Sequence, residues 1–173
     1  QAIITDPVWP GAAPRLTGSE DPQGLFARAA AYFPGICDRL VVVLGCDSDP
    51  RFLVSVPPEL PFVRLCWLRR IPPTYKGPIL FGAEVAYVFG AAWLPGDGSR
   101  VLRGEMVYAS KGANGKREAQ AGGSTHPCAR NLIAMRWLVG NYSRPGHTVL
   151  DPFCGEGSTL LAARETGRRS IGI

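Results

Sequence analysis

The sequence has few of the features that anchor, cross-link or metallate a protein. No apolar run nears the roughly 20 residues a helix needs to cross a bilayer; LVVVLGC at 40–46 has seven, and VAYVFGAAWL at 85–94 has ten. No basic stretch with an apolar core follows the first residue, so these residues hold no secretion signal. Residue 1 is Gln and the first methionine is Met106, so the natural start is expected to lie upstream. The five cysteines are odd in number, widely spaced and without a C-x-x-C pair, and there are only two histidines. That excludes a zinc site and a disulfide framework; no metal is expected, and a reducing cytoplasm is. Internal repeats and low-complexity tracts are absent. So are two nucleotide-binding patterns. The phosphate loop G-x-x-x-x-G-K-[ST] does not occur, and G-x-G-x-x-G fails at Leu160, which disfavours a nicotinamide-dependent oxidoreductase.

What remains is an ordinary globular composition. The 173 residues are 46% hydrophobic and 19% charged, enough for one domain with a real core. The net charge of +5 comes from sixteen arginines and only three lysines. It suits a polyanionic partner, since arginine matches phosphates and guanine edges, and it equally suits an ordinary solvated surface.

Patterning predicts alternating strands and helices. AIIT (2–5) reads as a short buried strand and RLVVVLGC (39–46) as a second, covered on both faces because it lacks alternation. LFARAAAYF (25–33) has helical spacing, with Leu25, Ala29 and Tyr32 on one side. PRFLVSV is expected to form a short helix stopped by Pro57 and Pro58. FVRLCWLRR and EVAYVFGAAW read as strands, separated by a loop over 71–83. Residues 95–125, poor in large apolar groups, read as an excursion with one strand at 105–109. An amphipathic helix comes next, with Leu132, Met135, Val139 and Tyr142 on one stripe. TVLD is a strand, STLLAARETG a helix ending at Gly167, and RRSIGI begins a last strand. The sum is an open, mostly parallel α/β sheet with helices on both faces.

Two strands end alike, in Asp6-Pro7 and Asp151-Pro152, each with an aromatic close behind; two further Asp-Pro pairs, in SEDPQG and DSDPRF, read as polar loops. In open α/β sheets ligands bind beyond the carboxyl ends of strands, where strand order reverses. Asp6 and Asp151 are therefore expected to flank one crevice if their strands are neighbours. DPFCGEGST adds a turn with Gly155 and Gly157 and a helix start. Such a turn lets a ligand approach the backbone and offers it unpaired N–H groups, or is merely tight.

Three stretches together resemble the beta group of S-adenosylmethionine-dependent DNA adenine-N6 and cytosine-N4 methyltransferases. TDPVW is similar to their catalytic Asp-Pro-Pro-Tyr/Trp motif, HPCAR to their His-Pro-x-x-Lys-Pro signature, and DPFCGEGST to their cofactor loop. The circularly permuted order, catalytic motif first and cofactor loop last, is also that group's, and GPILFGAEVAYVFG looks like the strand pair that comes next in those enzymes. The resemblance implies one Rossmann-like methyltransferase domain over 1–173, possessing a target-reading excursion at 95–125. It implies catalytic roles for Asp6, Pro7 and Trp9: the Asp6 carboxylate and Pro7 carbonyl accept from the base amine, and Trp9 stacks on the base. S-adenosylmethionine would be held by Thr5 through its backbone and by His126, Pro127, Arg130, Asp151, Pro152, Phe153, Cys154, Gly155, Gly157, Ser158 and Thr159. Ser158 and Thr159 either meet its carboxylate or cap the helix, and His126 reads equally as a loop histidine. DNA phosphates would meet Arg100, Arg103, Lys111, Lys116 and Arg117, or these are solvated loop charges. The implied partner is double-stranded DNA with its target base flipped out, met by a monomer or homodimer without a membrane, in the cytoplasm of a bacterial or phage-infected cell.

Departures from the family pattern are specific. Val8 replaces the second proline, Glu156 a serine, Arg130 a lysine and Asn131 a proline. The family's ribose-binding acid and third strand would follow Ile173, so either residues beyond it complete the site or its adenosine half is incomplete. Aspartate at position 6 leans towards adenine over cytosine-N4. The competing reading is a catalytically silent nucleic-acid-binding module of the same fold.

Overall fold

A computed structural model describes residues 1–10, 16–45, 48–76, 78–91, 104–109 and 130–173. His126, Pro127, Arg100, Arg103, Lys111, Lys116 and Arg117 lie outside the described residues, as does most of the 95–125 excursion.

Among the described residues seven strands form one sheet: β1 (Ala2–Thr5), β2 (Arg39–Gly45), β3 (Phe62–Lys76), β4 (Ile79–Gly90), β5 (Glu105–Ala109), β6 (Thr148–Asp151) and β7 (Arg169–Gly172). Their order is β5-β3-β4-β2-β1-β6-β7. Only β4 runs against the others, pairing antiparallel with β2 and β3; the remaining pairs are parallel. The mostly parallel open sheet expected from the patterning is therefore present.

Strand alternation divides the core. Ala2, Ile4, Val41 and Val43 face α2 (Leu132–Tyr142) and α3 (Ser158–Glu165). Ile3, Leu40, Val42 and Leu44 face α1 (Pro22–Ala30), Phe33 and Phe52. A strand covered on both faces has no polar side to show, which is why β2 reads as a continuous apolar run. The expected stripe of α2 is buried as a whole: Leu132, Met135, Val139 and Tyr142.

Four local expectations need correction. In α1 the buried residues are Phe26 and Ala30, followed by Phe33, while Tyr32 is 72% exposed; the inward stripe lies one residue on from Leu25, Ala29 and Tyr32, because the larger Phe26 takes the core. The Asp-Pro pairs expected in polar loops instead open helices. Asp21 caps α1 by accepting from the Gly24 N–H at 2.9 Å, and Asp49 accepts from the Arg51 N–H at 2.9 Å ahead of a 3-10 segment over Pro50–Ser55. Aspartate suits the cap, and proline suits the first helical position, where its missing N–H has no partner to lose. The expected loop over 71–83 is mostly strand: β3 runs on to Lys76 and β4 begins at Ile79. Its register slips between Arg69 and Thr74, across Pro72 and Pro73, which lack the N–H a regular ladder needs. Finally, neither Ser158 nor Thr159 caps α3; Gly157 does, in the left-handed conformation (φ 80°) that glycine adopts without steric cost.

Candidate active site at the centre of the sheet

The chain leaves β1 through α1 to reach β2 on one side, and leaves β6 through α3 to reach β7 on the other. Strand order thus reverses between β1 and β6, which pair in parallel, Ala2 with Val149 and Ile3 with Leu150. Asp6 follows the last residue of β1 and Asp151 is the last residue of β6. The two acids stand at adjacent carboxyl ends, at the switch point where open α/β sheets bind ligands.

Asp151 is buried and closely tied. The Thr5 hydroxyl donates to its Oδ1 at 2.7 Å, the Phe153 N–H donates to the same oxygen at 3.1 Å, and the Thr159 side chain donates as well. Burial raises its pKa, and those three donors oppose the rise. The Thr5 side chain is therefore spent on the neighbouring strand's acid. Phe153 packs at 6.4 Å from the Phe26 ring, so the loop after β6 leans on α1. Beyond it, Gly155 has positive φ (47°), is exposed, and has no atom within 4 Å of where a Cβ would stand. Backbone is thus open to a ligand at that turn, next to the free N–H groups of the first turn of α3. Glu156 points to solvent; Pro152 and Cys154 are half-buried, and Ser158 is buried.

Asp6 lies in a different environment. Arg130, on the segment entering α2, grips it with both arms of its fork: Nε faces Oδ2, and Nη2 reaches Oδ1 at 2.7 Å. The third nitrogen, Nη1, donates to Glu84 on β4, and Arg70 stands 3.9 Å from Glu84. The Arg130 guanidinium also lies over the Trp9 ring, 4.6 Å from its centroid, a distance at which a cation and an aromatic face attract. Burial pushes the Asp6 carboxyl up to about 6; Arg130 pulls it down, and Glu84 and Asp151 push it back up. Burial works against the charge of Arg130, yet Asp6 and Glu84 more than offset it and hold the group firmly protonated. Pro7 is buried, while Val8 and Trp9 are half-buried.

The structure therefore gathers Thr5, Asp6, Pro7, Trp9, Arg130 and the Asp151–Thr159 segment at one end of the sheet. It places Arg130 on the Asp6 carboxylate. The sequence reading missed Glu84 as a member of this network. Its signal was there: one acid in the otherwise apolar run EVAYVFG, only 5% exposed in the fold. Asn131, noted in the sequence only as a replacement for the family's proline, caps α2 by accepting from the Ile133 N–H at 2.9 Å. Among the described residues no group of His, Cys, Asp and Glu could hold a metal ion, and no helix is long and apolar enough to cross a membrane.

Comparison with known proteins bears on the fold and the family. Over 53 residues the chain is 42% identical to a putative methylase, YubD, of Escherichia coli K12, and over 48 residues 50% identical to the type II methyltransferase M.EcaI of Enterobacter cloacae. These stretches cover 31% and 28% of this chain but only 23% and 11% of those proteins, so the chain spans a small part of each. In fold it is similar along its whole length to M1.HpyAVI, solved as a SAM complex, with a TM-score of 0.69 at 21% identity and 82% of that chain covered. It is similar over 99% of its length to TTHA0409, a DNA modification methylase of Thermus thermophilus described as putative (TM-score 0.67, 20% identity, 79% covered). The cytosine-N4-specific PvuII DNA methyltransferase matches at a TM-score of 0.65 and 16% identity, with 73% of it covered. A DNA methylase family model matches residues 84–173, which hold the second half of β4, α2 and the whole Asp151 loop. That match takes in more than half of the sequence, and by it the chain belongs to the N6/N4 DNA methylase family.

Proposed function

We propose that this chain transfers a methyl group from S-adenosylmethionine to an exocyclic amine of a base in DNA, with adenine N6 the preferred target. The observation that carries this reading is the placement of Asp6 and Asp151 at the ends of two adjacent parallel strands where strand order reverses. One acid then serves each side of a shared cleft.

On the β6 side the residues fit the cofactor. The open Cβ direction at Gly155, the free first-turn N–H groups of α3 and the buried Asp151 make a cradle for a small ligand with its own carboxylate and amine. Thr5, Asp151, Pro152, Phe153, Cys154, Gly155, Gly157, Ser158 and Thr159 would hold it. His126, Pro127 and Arg130 are assigned to the same side by family resemblance, and the contacts of Arg130 run to Asp6, Glu84 and Trp9. When bound, the cofactor supplies an electrophilic methyl group on a sulfonium.

On the β1 side the work is positioning. An exocyclic amine is a poor nucleophile because its lone pair is delocalised into the ring. Asp6 and the Pro7 carbonyl accept its two N–H bonds, which favours a pyramidal nitrogen with the lone pair turned to the cofactor side. Trp9 stacks on a base taken out of the duplex, a contact worth roughly 1–3 kcal/mol. Adenine is favoured by the aspartate at position 6. DNA phosphates are assigned to Arg100, Arg103, Lys111, Lys116 and Arg117.

Incubation with tritiated S-adenosylmethionine and unmethylated DNA, followed by nucleoside analysis, tests activity and base together. Label in N6-methyldeoxyadenosine is expected; label in N4-methyldeoxycytidine would move the target, and cofactor binding without label in DNA would favour a silent binding module.

A further inference from the structure

The network on Asp6 has a shape that charge neutralisation alone does not require, and its meaning rests on the methyl-transfer function just proposed. Arg130 is held on three sides: two nitrogens on the oxygens of Asp6, the third on Glu84, and its flat face on Trp9. A planar, delocalised group that stacks on Trp9 and points N–H donors at Asp6 makes the two contacts an everted base would make. Such a base also lays its ring on the indole and its amine on the carboxylate. The two cannot be present together, because the fork of Arg130 takes both facing oxygens of Asp6 and the ring face it covers admits one planar group.

We propose that Arg130 is a stand-in for the target base, filling the base pocket when no base is there and yielding it when one enters, with Glu84 as the positioning residue that retains Arg130 through the exchange. Glu84 is suited to this. It is buried on β4, and it holds Arg130 by the nitrogen that does not face Asp6. Arg130 can therefore give up Asp6 and Trp9 while one carboxylate still compensates its charge, so a buried cation is never left without a partner. The pocket also never stands open with Asp6 alone in a buried site.

A pocket filled by its own side chain lowers the apparent affinity for the incoming group by the fraction of time it is free. Steady-state methyl transfer to unmethylated phage DNA is to be compared for wild type, Arg130→Ala, Arg130→Lys and Glu84→Gln. Arg130→Ala is expected to lower KM for DNA by roughly threefold or more, the reciprocal of the free fraction, when assayed well above pH 6, where Asp6 is ionised without the help of Arg130. Arg130→Lys keeps the cation but not the flat group on Trp9, and lowers KM for DNA by less. Glu84→Gln leaves Arg130 with Asp6 as its one carboxylate, and raises KM for DNA. The opposite signs are the signature. If Arg130→Ala does not fold, as a thermal melt would show, Arg130→Lys and Glu84→Gln still carry the comparison. A fall in kcat with KM for DNA unchanged, or shifts of one sign in Arg130 and Glu84 variants, would each overturn the proposal alone. A wild type that binds S-adenosylmethionine yet methylates no DNA would overturn the underlying function and this proposal with it.

Discussion

Two carboxylates, one strand apart, are held in opposite ways. Asp151 is fixed by three neutral donors, and Asp6 by one cation that also serves Glu84. The first arrangement is rigid, and the second can be exchanged. Because burial lifts the Asp6 carboxyl to about 6, the proposed acceptor is lost on the acid side of neutrality. In its carboxylate form it accepts the amine protons; once protonated it does not, so kcat/KM for DNA should fall as pH drops through about 6 and level off above. A limb near 4 would mean that Asp6 titrates as an exposed acid, and would remove burial as its governing influence. Substitution Asp6→Ala should reduce methyl transfer by roughly 10²–10³-fold, the scale of losing one preorganised polar contact. Affinity for S-adenosylmethionine, measured by calorimetry, should hardly move. A variant with near wild-type turnover would take Asp6 out of its role.

At the scale of elements, α1 supports the Asp151 loop from behind. Phe26 is fully buried, tilts against Phe52 at 4.8 Å, and meets Phe153. Phe26→Ala should cost about 3–5 kcal/mol by urea unfolding and also weaken S-adenosylmethionine binding, because Phe153 loses its backing. Phe33→Ala is the control: it is equally buried and meets Phe26 rather than Phe153, so it should destabilise without changing that affinity. Equal loss of affinity in both would show that the loop responds to global stability alone. These elements also explain what was legible beforehand. Strands β1, β2 and β6 and helix α2 follow from runs and stripes of apolar residues that nothing in the tertiary structure contradicts. The β3–β4 extension was hidden because Pro72, Pro73 and glycines resemble loop chemistry, and pairing along a partner strand overrides local preference. The α1 stripe slipped by one residue because periodicity alone does not say which of two adjacent apolar residues, Leu25 or Phe26, takes the core.

Taken as a whole, the molecule joins a site readable in motifs to a network that motifs do not contain. The Asp6 and Asp151 corners could be foreseen as neighbours, since each ends an apolar run and such ends meet at a switch point. The grip of Arg130 on Asp6, across 124 positions, could not, because no local pattern encodes which arginine of sixteen reaches a given acid. Whole-molecule charge supports one further expectation. With a net charge of +5 and five assigned phosphate contacts, the logarithm of DNA affinity should fall with the logarithm of salt at a slope of about −4.5, from about −0.9 per contact. A slope near zero in a filter-binding titration would assign those side chains to the solvated surface.

The pairing of β1 with β6 carries a temporal consequence. Of the seven strands, the first to leave a ribosome lies in the middle of the sheet, and one of its two neighbours is made far later, as the 146-residue spacing of Thr5 and Asp151 shows. Until then β1 offers one flank with unpaired amides, and half of the cleft does not exist. A nascent chain of this topology sets Asp6 at the end of β1 before the strand that ends in Asp151 has been synthesised, so the two acids become neighbours only once β6 has emerged.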